Sequence, residues 1–460
     1  MLKSISFDLG ASSGKVYTSF FDGEKINVEK IHSFKNETFD LGGNFYWDII
    51  YIFNELKKGI KKALNKQNDI SSFGLCSFSN DFAFLNKKNE LISQVRSYRD
   101  KRTMKNENKI YNLLSKKQLY KITGNQSAPF NTFMQIASMR VDELNDELKS
   151  ANKILFIPDL INYFLCGEMI TEKTIASVSQ MYDQKKNDFS TEIFKKLKIK
   201  KNIFPPMENA GKILGKINKN LFSSKYNIDI CICPHHDTAS AFIGSLIDEN
   251  CLNISSGTWA IVGTERKMPI INEYAFKNNI ANEGGIKGYH RLLLNTMGNF
   301  PMQEILKRKT FVFDFEKAYK NISKTNLGFI DINKKAFYTP ENMEEKIAKE
   351  YYKKYKRNLK NIDEYYSLIS RSLVKKYKDA KEKLEKLINK KFDKINIVGG
   401  GSKDKLTVKY IKEEFNLPVF LGHENATIYG NIIFQLIAKN ELKNIDEGRE
   451  LIKRSLVKNI

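Results

Sequence analysis

At 460 residues, with 41% apolar and 12% aromatic side chains, the chain is long enough for two domains and apolar enough to fill their cores, which excludes global disorder. Its formal charge of +23 invites a nucleic-acid reading, but Lys far outnumbers Arg and is scattered over helix faces; the charge implies anionic substrates and no specific nucleic acid. The five cysteines show neither a CxxC pair nor a His at zinc spacing, so they are expected to be reduced and structural. With no leader, lipidation motif or apolar run of membrane-spanning length in view, the expected location is the cytoplasm, with no membrane partner.

The chain opens on the apolar strand Ile5-Ser6-Phe7, which runs into Asp8-Leu9-Gly10-Ala11-Ser12-Ser13-Gly14-Lys15 and then into a second strand over 16–21. Asp22-Gly23 between alternating runs predicts a hairpin and a third strand over 25–32. From Asp48, apolar residues at Ile49, Phe53, Leu56, Ile60 and Leu64 predict a helix, followed by a strand over 72–78. Three antiparallel strands, a helix and a further strand form the order of a ribonuclease-H-like, actin-type ATPase core. A domain break is placed at residue 245, giving an N-terminal domain over 1–244 and a C-terminal domain over 245–460.

The second half repeats the theme. Leu252-Asn253-Ile254 runs into Ser255-Ser256-Gly257-Thr258 and a strand from Trp259. A long helix presents Ile369, Leu373, Tyr377, Ala380, Leu384 and Leu387 on one face. It leads to the strand Ile395-Asn396-Ile397-Val398, the turn Gly399-Gly400-Gly401-Ser402, a strand over 418–421 and a closing helix. The charged stretch 307–360 carries the weakest pattern, and loops are expected within it.

Four segments carry chemistry. In the first turn, Asp8 could hold Mg²⁺ through water, Gly10 and Gly14 permit a tight turn, Ser12 and Ser13 add donors, and Lys15 could reach a phosphate; an ordinary Gly-Ser hairpin reads similarly. It is neither a Walker A loop nor GxGxxG. Asp237, in Pro234-His235-His236-Asp237-Thr238-Ala239, fits either a helix N-cap or a general base. The triple glycine would let adenine-ribose approach the backbone, or would simply turn the chain. Glu424-Asn425-Ala426-Thr427 opens a small-residue helix that could pack near that turn.

In this order the motifs resemble the FGGY carbohydrate kinases and, within them, the rhamnulokinase branch. The resemblance extends through Tyr98-Arg99-Asp100-Lys101-Arg102-Thr103, Pro129-Phe130-Asn131-Thr132, Ile157-Pro158-Asp159, Asn282-Glu283-Gly284-Gly285, Asn295 to Gln303 and Pro340-Glu341-Asn342-Met343. It implies two actin-like domains closing on Mg²⁺-ATP and a ketose, with phosphoryl transfer to the 1-hydroxyl of L-rhamnulose. By the same resemblance Asp237 is the catalytic base, Ser79, Asp81, His236, Thr238 and Asn295 contact the sugar, and Asp8 holds the magnesium through water. Gly10, Ala11, Ser12, Ser13, Gly14, Lys15, Thr258, Gln303, Gly400 and Gly401 contact ATP. The implied assembly is a monomer or homodimer.

The departures from the family pattern fall where substrate is read. Phe78-Ser79-Asn80-Asp81 stands where the family has Trp-Gly-x-Asp, Cys76 where an acid is usual, Asp404 where Asn is expected, and Lys15 where Arg is common. The alternatives are a kinase for another deoxyketose, such as L-fuculose or a 5-deoxypentulose, and a non-catalytic sugar- or nucleotide-binding regulator.

Overall fold

The computed structural model describes residues 1–456 apart from 68, 143–145, 223–225, 323–326, 339 and 340. Pro340 of the Pro-Glu-Asn-Met motif therefore lies outside the described residues. The chain divides into two compact units, one of Met1–Leu246, Arg266–Arg291 and Ala426–Ile460, the other of Ile247–Glu265 and Leu292–Asn425.

The first unit is built on β1 (Leu2–Leu9), β2 (Ser13–Phe21) and β3 (Ile26–Lys35), a meander whose second turn is the Asp22-Gly23 hairpin. The Asp22 carboxylate accepts from the amides of Glu24 and Lys25, and Gly23 takes φ 104°, so local turn chemistry sets the reversal. The helix α1 (Ile49–Lys66) starts on the Asp48 N-cap, whose carboxylate accepts from the Tyr51 amide at 2.8 Å. The strand Ser72–Ser77 then lies parallel to β1, and Asp229–Ile232 lies parallel to it in turn. One face of the sheet is covered by α1 through Ile52, Leu56, Ile60 and Leu64, which pack with Ile5, Phe7 and Val16.

The other face is covered by the helix Ala426–Ala438, through Ile428, Ile432, Ile433 and Leu436. Just before the helix, Glu424 pairs with Lys403 at 2.6 Å, beside the triple-glycine turn, as the sequence suggested for this segment. The helix itself belongs to the first unit and packs on the helix Asp237–Ile243. Its buried polar residues are reserved for the sheet: Gln435 donates to the Ile5 carbonyl at 3.0 Å and accepts from Ser72 at 2.8 Å, and Asn431 accepts from Ser6 at 2.9 Å.

The second unit repeats the strand logic. Cys251–Ser256 pairs antiparallel with Trp259–Arg266 and parallel with Lys394–Val398, as β1 pairs with β2 and with Ser72–Ser77. The helix Ile362–Ile388 buries Ile369, Leu373, Tyr377, Ala380 and Leu384. The charged stretch 307–360 contains the helices Phe315–Ile322 and Met343–Tyr355 among its described residues. No helix among the described residues is long and apolar enough to cross a membrane.

Candidate active site

Asp8 sits at the carboxyl end of β1, where the ladder sets it opposite Lys15 on β2 and opposite Cys76 on the parallel strand. The turn after it is tied down from one side. Asn36 donates its amide to the Ser12 carbonyl at 3.1 Å and its side chain to the Gly10 carbonyl at 2.8 Å, while Arg99 donates to the Ala11 carbonyl at 3.0 Å. Each peptide is planar and trans, so fixing those three carbonyls aims the N–H groups of Ala11, Ser12 and Ser13 the opposite way, as an anion cradle requires. At Gly14 a Cβ would stand 2.2 Å from the Phe34 ring, so packing demands glycine there. Burial pushes the Asp8 carboxyl up to about 6; the nearby Asp237 adds to this and Lys15 opposes it.

The segment carrying Asp237 follows the strand Asp229–Ile232 and is pinned by buried groups. His235 gives its carbonyl to the Ser77 amide at 2.7 Å, and its ring stands 2.8 Å from Asp159 through Nδ1 and 3.1 Å from the Asn162 amide through Nε2. The Asn162 contact makes Nε2 an acceptor and Nδ1 the donor to Asp159. Glu172 accepts from the amides of His235, Thr174 and Ile175, and the Thr174 hydroxyl in turn accepts from the His236 amide at 3.2 Å. Asp237 is the first residue of the helix Asp237–Ile243, with His236 in the N-cap position. The capping expectation is therefore off by one residue, because the carboxylate takes its local hydrogen bonds from Thr238, at 2.5 Å from the amide and 3.2 Å from the hydroxyl.

Burial raises the Asp237 pKa, while His236 and the two Thr238 hydrogen bonds pull it back and Glu283 pushes it up. The side chain keeps 33% of its surface open, against 8% for that of His236, so it is the more open of the two to a substrate hydroxyl.

At the loop 78–81, Ser79 is half-buried and accepts from the Asn80 side chain at 2.9 Å; Asn80 has φ 80°. The Asp81 carboxylate is buried and accepts from Trp47 Nε1 at 2.6 Å, the Tyr98 amide at 2.9 Å and Gln135 Nε2 at 2.8 Å. Burial pushes its pKa up to about 6 against those three donors. Trp47, Phe78 and Tyr98 form an aromatic cluster, and the Arg99 guanidinium lies over both Trp47 and Tyr98.

In the second unit the Thr258 hydroxyl donates to Gln303 Oε1 at 3.2 Å, beside the turn between its first two strands. Gly399 has φ 78°, a Cβ on Gly401 would meet the Ser256 side chain at 2.4 Å, and a Cβ on Gly400 would meet nothing. Gln303 and Gly400 line one cavity of about 290 Å³, with Met302, Leu306, Tyr366 and Ile369 as its apolar wall. A pocket of this size with an apolar wall and a few polar groups suits a flat heterocycle. Asp404, where Asn was expected, caps the helix Lys405–Phe415 by accepting from Thr407 and also accepts from the Tyr366 hydroxyl. Asn295 is exposed on the strand Tyr289–Met297.

The first unit thus gathers Asp8, the turn Gly10-Ala11-Ser12-Ser13-Gly14-Lys15, Ser79, Asp81, His236, Asp237 and Thr238, and the second carries Thr258, Asn295, Gln303, Gly400 and Gly401. The residues that hold these in place, Asn36, Trp47, Gln135, Asn162 and Glu172, were given no role from sequence. They are single polar or aromatic residues in unrelated segments, and only a buried one with a partner is informative.

Comparison with known proteins bears on what this site serves. Residues 4–244 match the description "FGGY family of carbohydrate kinases, N-terminal domain", and residues 252–439 match its C-terminal counterpart. The chain belongs to the FGGY family of carbohydrate kinases. Members of this family are phosphotransferases that use ATP to phosphorylate a sugar, and this chain is one of them. Among its relatives, a rhamnulokinase of Oceanobacillus iheyensis is 30% identical over 98% of this chain and 96% of its own. A rhamnulokinase of Bacillus subtilis is 30% identical over 98% of this chain and 93% of its own. In fold the chain is similar to Plasmodium falciparum glycerol kinase with ADP, at a TM-score of 0.81 and 15% identity over 99% and 93% of the two chains. It is likewise similar to a ligand-bound xylulose kinase of Lactobacillus acidophilus, at 0.78 and 16% over 98% and 92%. The two-domain kinase fold expected from the strand order is the fold found.

Proposed function

We propose that this kinase transfers the γ-phosphoryl group of ATP to the 1-hydroxyl of L-rhamnulose, giving L-rhamnulose 1-phosphate and ADP. The observation that carries the substrate is the similarity, along almost the whole chain, to rhamnulokinases. In this reading Asp237 accepts the proton of the 1-hydroxyl as that oxygen bonds to the γ-phosphorus. The bond from phosphorus to the β–γ bridging oxygen breaks, and its electron pair leaves on ADP. Its partial exposure, raised pKa and tether to Thr238 suit a base that must be ionised at neutral pH yet accept a proton. His236, Thr238, Ser79 and Asn295 are proposed sugar contacts, and Asp81 supports the pocket wall through Trp47 and Tyr98.

The tied turn at Gly10-Ala11-Ser12-Ser13 is assigned to phosphate and the second unit's cavity to adenosine. Among the described residues no cluster of three or more His, Cys, Asp or Glu could hold a metal by itself. Asp8, a single hard carboxylate beside the phosphate turn, fits a magnesium that arrives with the nucleotide, keeps its waters and neutralises phosphate charge.

The test is ADP release with Mg-ATP against L-rhamnulose, L-fuculose, L-ribulose, D-xylulose and glycerol. Turnover that strongly favours L-rhamnulose supports the assignment. A preference for another ketose moves it to that sugar, and the Ser79 hydroxyl, which replaces a glycine where substrate is read, is then the first residue to change. The adenosine assignment has its own check at Gly400. Open space around its added Cβ means that Gly400→Ala leaves the melting temperature within about 2 °C, a shift set by at most ~0.5 kcal/mol, yet raises KM for ATP several-fold. An unchanged KM would remove Gly400 from the nucleotide site.

A further inference from the structure

Behind the catalytic carboxylate the first unit holds a line of charge whose far members, Glu283 and Arg291, have no role in the reaction as described. His236 Nε2 lies 3.5 Å from Asp237 Oδ1, and on the other side of the ring Nδ1 lies 3.4 Å from Glu283 Oε2. Arg291 Nη2 stands 3.6 Å from that same Glu283 oxygen, and Arg291 and Glu283 are 1% and 7% exposed. A carboxylate so deep is retained only with charged partners; the Arg291 and His236 contacts hold Glu283 ionised against its burial. The His236 ring is thus flanked by two carboxylates, one open to substrate and one sealed.

We infer that Glu283, braced by Arg291, is a positioning residue for the catalytic pair: it fixes the His236 ring with Nδ1–H toward itself, so that Nε2 faces Asp237. The consequence follows from counting protons. A ring protonated on both nitrogens offers a donor to each carboxylate and supports an ionised Asp237. The ring keeps its protons through the step, and the one proton that moves goes from the sugar to Asp237. Glu283 therefore holds the ring in one orientation behind the base while the sugar's proton moves to Asp237. Its carboxylate is a second support of the kind found behind ligand histidines, where a carboxylate sets tautomer and orientation.

Asp8 on β1, itself under the opposing charge of Lys15, lies within the field of Asp237, as do Cys76 and Tyr98. None of these groups changes when Glu283 does. Removing the Glu283 charge relieves a distant like charge on Asp237 but also releases the adjacent ring. The ring is the nearer group, so its loss dominates, and Asp237 becomes harder to ionise.

The inference rests on Asp237 being the base, and the experiment separates the two. Glu283→Gln keeps the shape of the side chain and removes its charge. The expected result is a loss of roughly 10-fold in kcat, an unchanged KM for ATP, and an acid limb of kcat/KM displaced to higher pH. In a His236→Gln background the same change should have little further effect. A loss of kcat with the limb unmoved or moved to lower pH, or an equal loss in the His236→Gln background, overturns the inference. Nitrogen-15 spectra of histidine-labelled wild-type protein give a readout that needs no variant and no substrate. Nδ1 of His236 protonated at neutral pH is expected, and a proton on Nε2 alone overturns the inference. Absence of turnover with every ketose would sink the proposed function and leave this second readout to decide.

Discussion

Asp237→Asn is expected to lower kcat for sugar-dependent ADP release by about 10²–10⁴-fold while leaving ATP affinity and the melting temperature close to wild type. Asparagine can still accept from the Thr238 amide and hydroxyl, the local bonds that orient the carboxylate. What it loses is the ability to take a proton. The side chain is one-third exposed, so the fold does not lean on its charge. Single-turnover measurements would separate the effect on chemistry from any effect on release, and a kcat within tenfold of wild type would remove Asp237 from the role of base.

The pH profile gives the same residue a second test. Burial raises the Asp237 pKa, and burial together with the Asp237 charge pushes Asp8 up to about 6. For a carboxylate the raised value means that the protonated, inactive form persists to higher pH than in water. Activity is therefore full above the folded-state values and falls as pH drops through them, so the acid limb of kcat/KM should lie above the ordinary carboxylate position. Measured between pH 4.5 and 8 in controls that remain folded, a limb at the ordinary carboxylate position of about 4 would show that neither carboxyl is perturbed in the working enzyme.

The parts of this molecule that were legible in sequence are those whose signal is local. The meander from Leu2 to Lys35, the Asp48 cap and the helix α1 each announce themselves within a few residues, through alternation, an Asx turn or a three-and-four spacing. The duplicated small-residue turn was legible for the same reason, and its two copies fall at equivalent places in two sheets. Long-range pairing was not legible. Asp81 was expected among the sugar contacts, yet its carboxylate is occupied by Trp47, Tyr98 and Gln135, donors from three separate segments that no spacing rule connects. Glu283 was visible only as part of a motif, because its meaning comes from a histidine and an arginine brought to it by the fold. The segment before the helix Ala426–Ala438 was placed near the glycine turn, and Glu424 does pair with Lys403 there; the helix's own partner, Asp237–Ile243, was not legible, since small residues announce close approach without saying to what.

That close approach carries the largest expected effect on stability. A Cβ built on Gly430 would stand 1.9 Å from the Ser240 carbonyl oxygen, and one built on Gly244 would stand 1.9 Å from the Ala426 carbonyl oxygen. The helices Asp237–Ile243 and Ala426–Ala438 therefore meet backbone to backbone, and the Ser240 hydroxyl donates across the contact to the Thr427 carbonyl at 2.7 Å. Neither clashing atom is the end of a side chain that could rotate aside, so Gly430→Ala must force the helices apart by roughly 1.5 Å, since carbon and carbonyl oxygen settle at about 3.3–3.6 Å. Separation on that scale also draws Asn431 and Gln435 away from Ser6, Ser72 and the Ile5 carbonyl, leaving buried polar groups without partners. Overpacking together with those losses should cost about 3 kcal/mol or more, read as a fall in the urea midpoint of the first unit. Gly448→Ala, whose added Cβ has side-chain atoms of Ile433 and no backbone among its three nearest neighbours, should cost less. Because one of the two helices begins at Asp237, any Gly430→Ala protein that still folds should lose kcat more than it loses ATP affinity. A variant as stable and as active as wild type would mean that the two helices do not touch in the working enzyme.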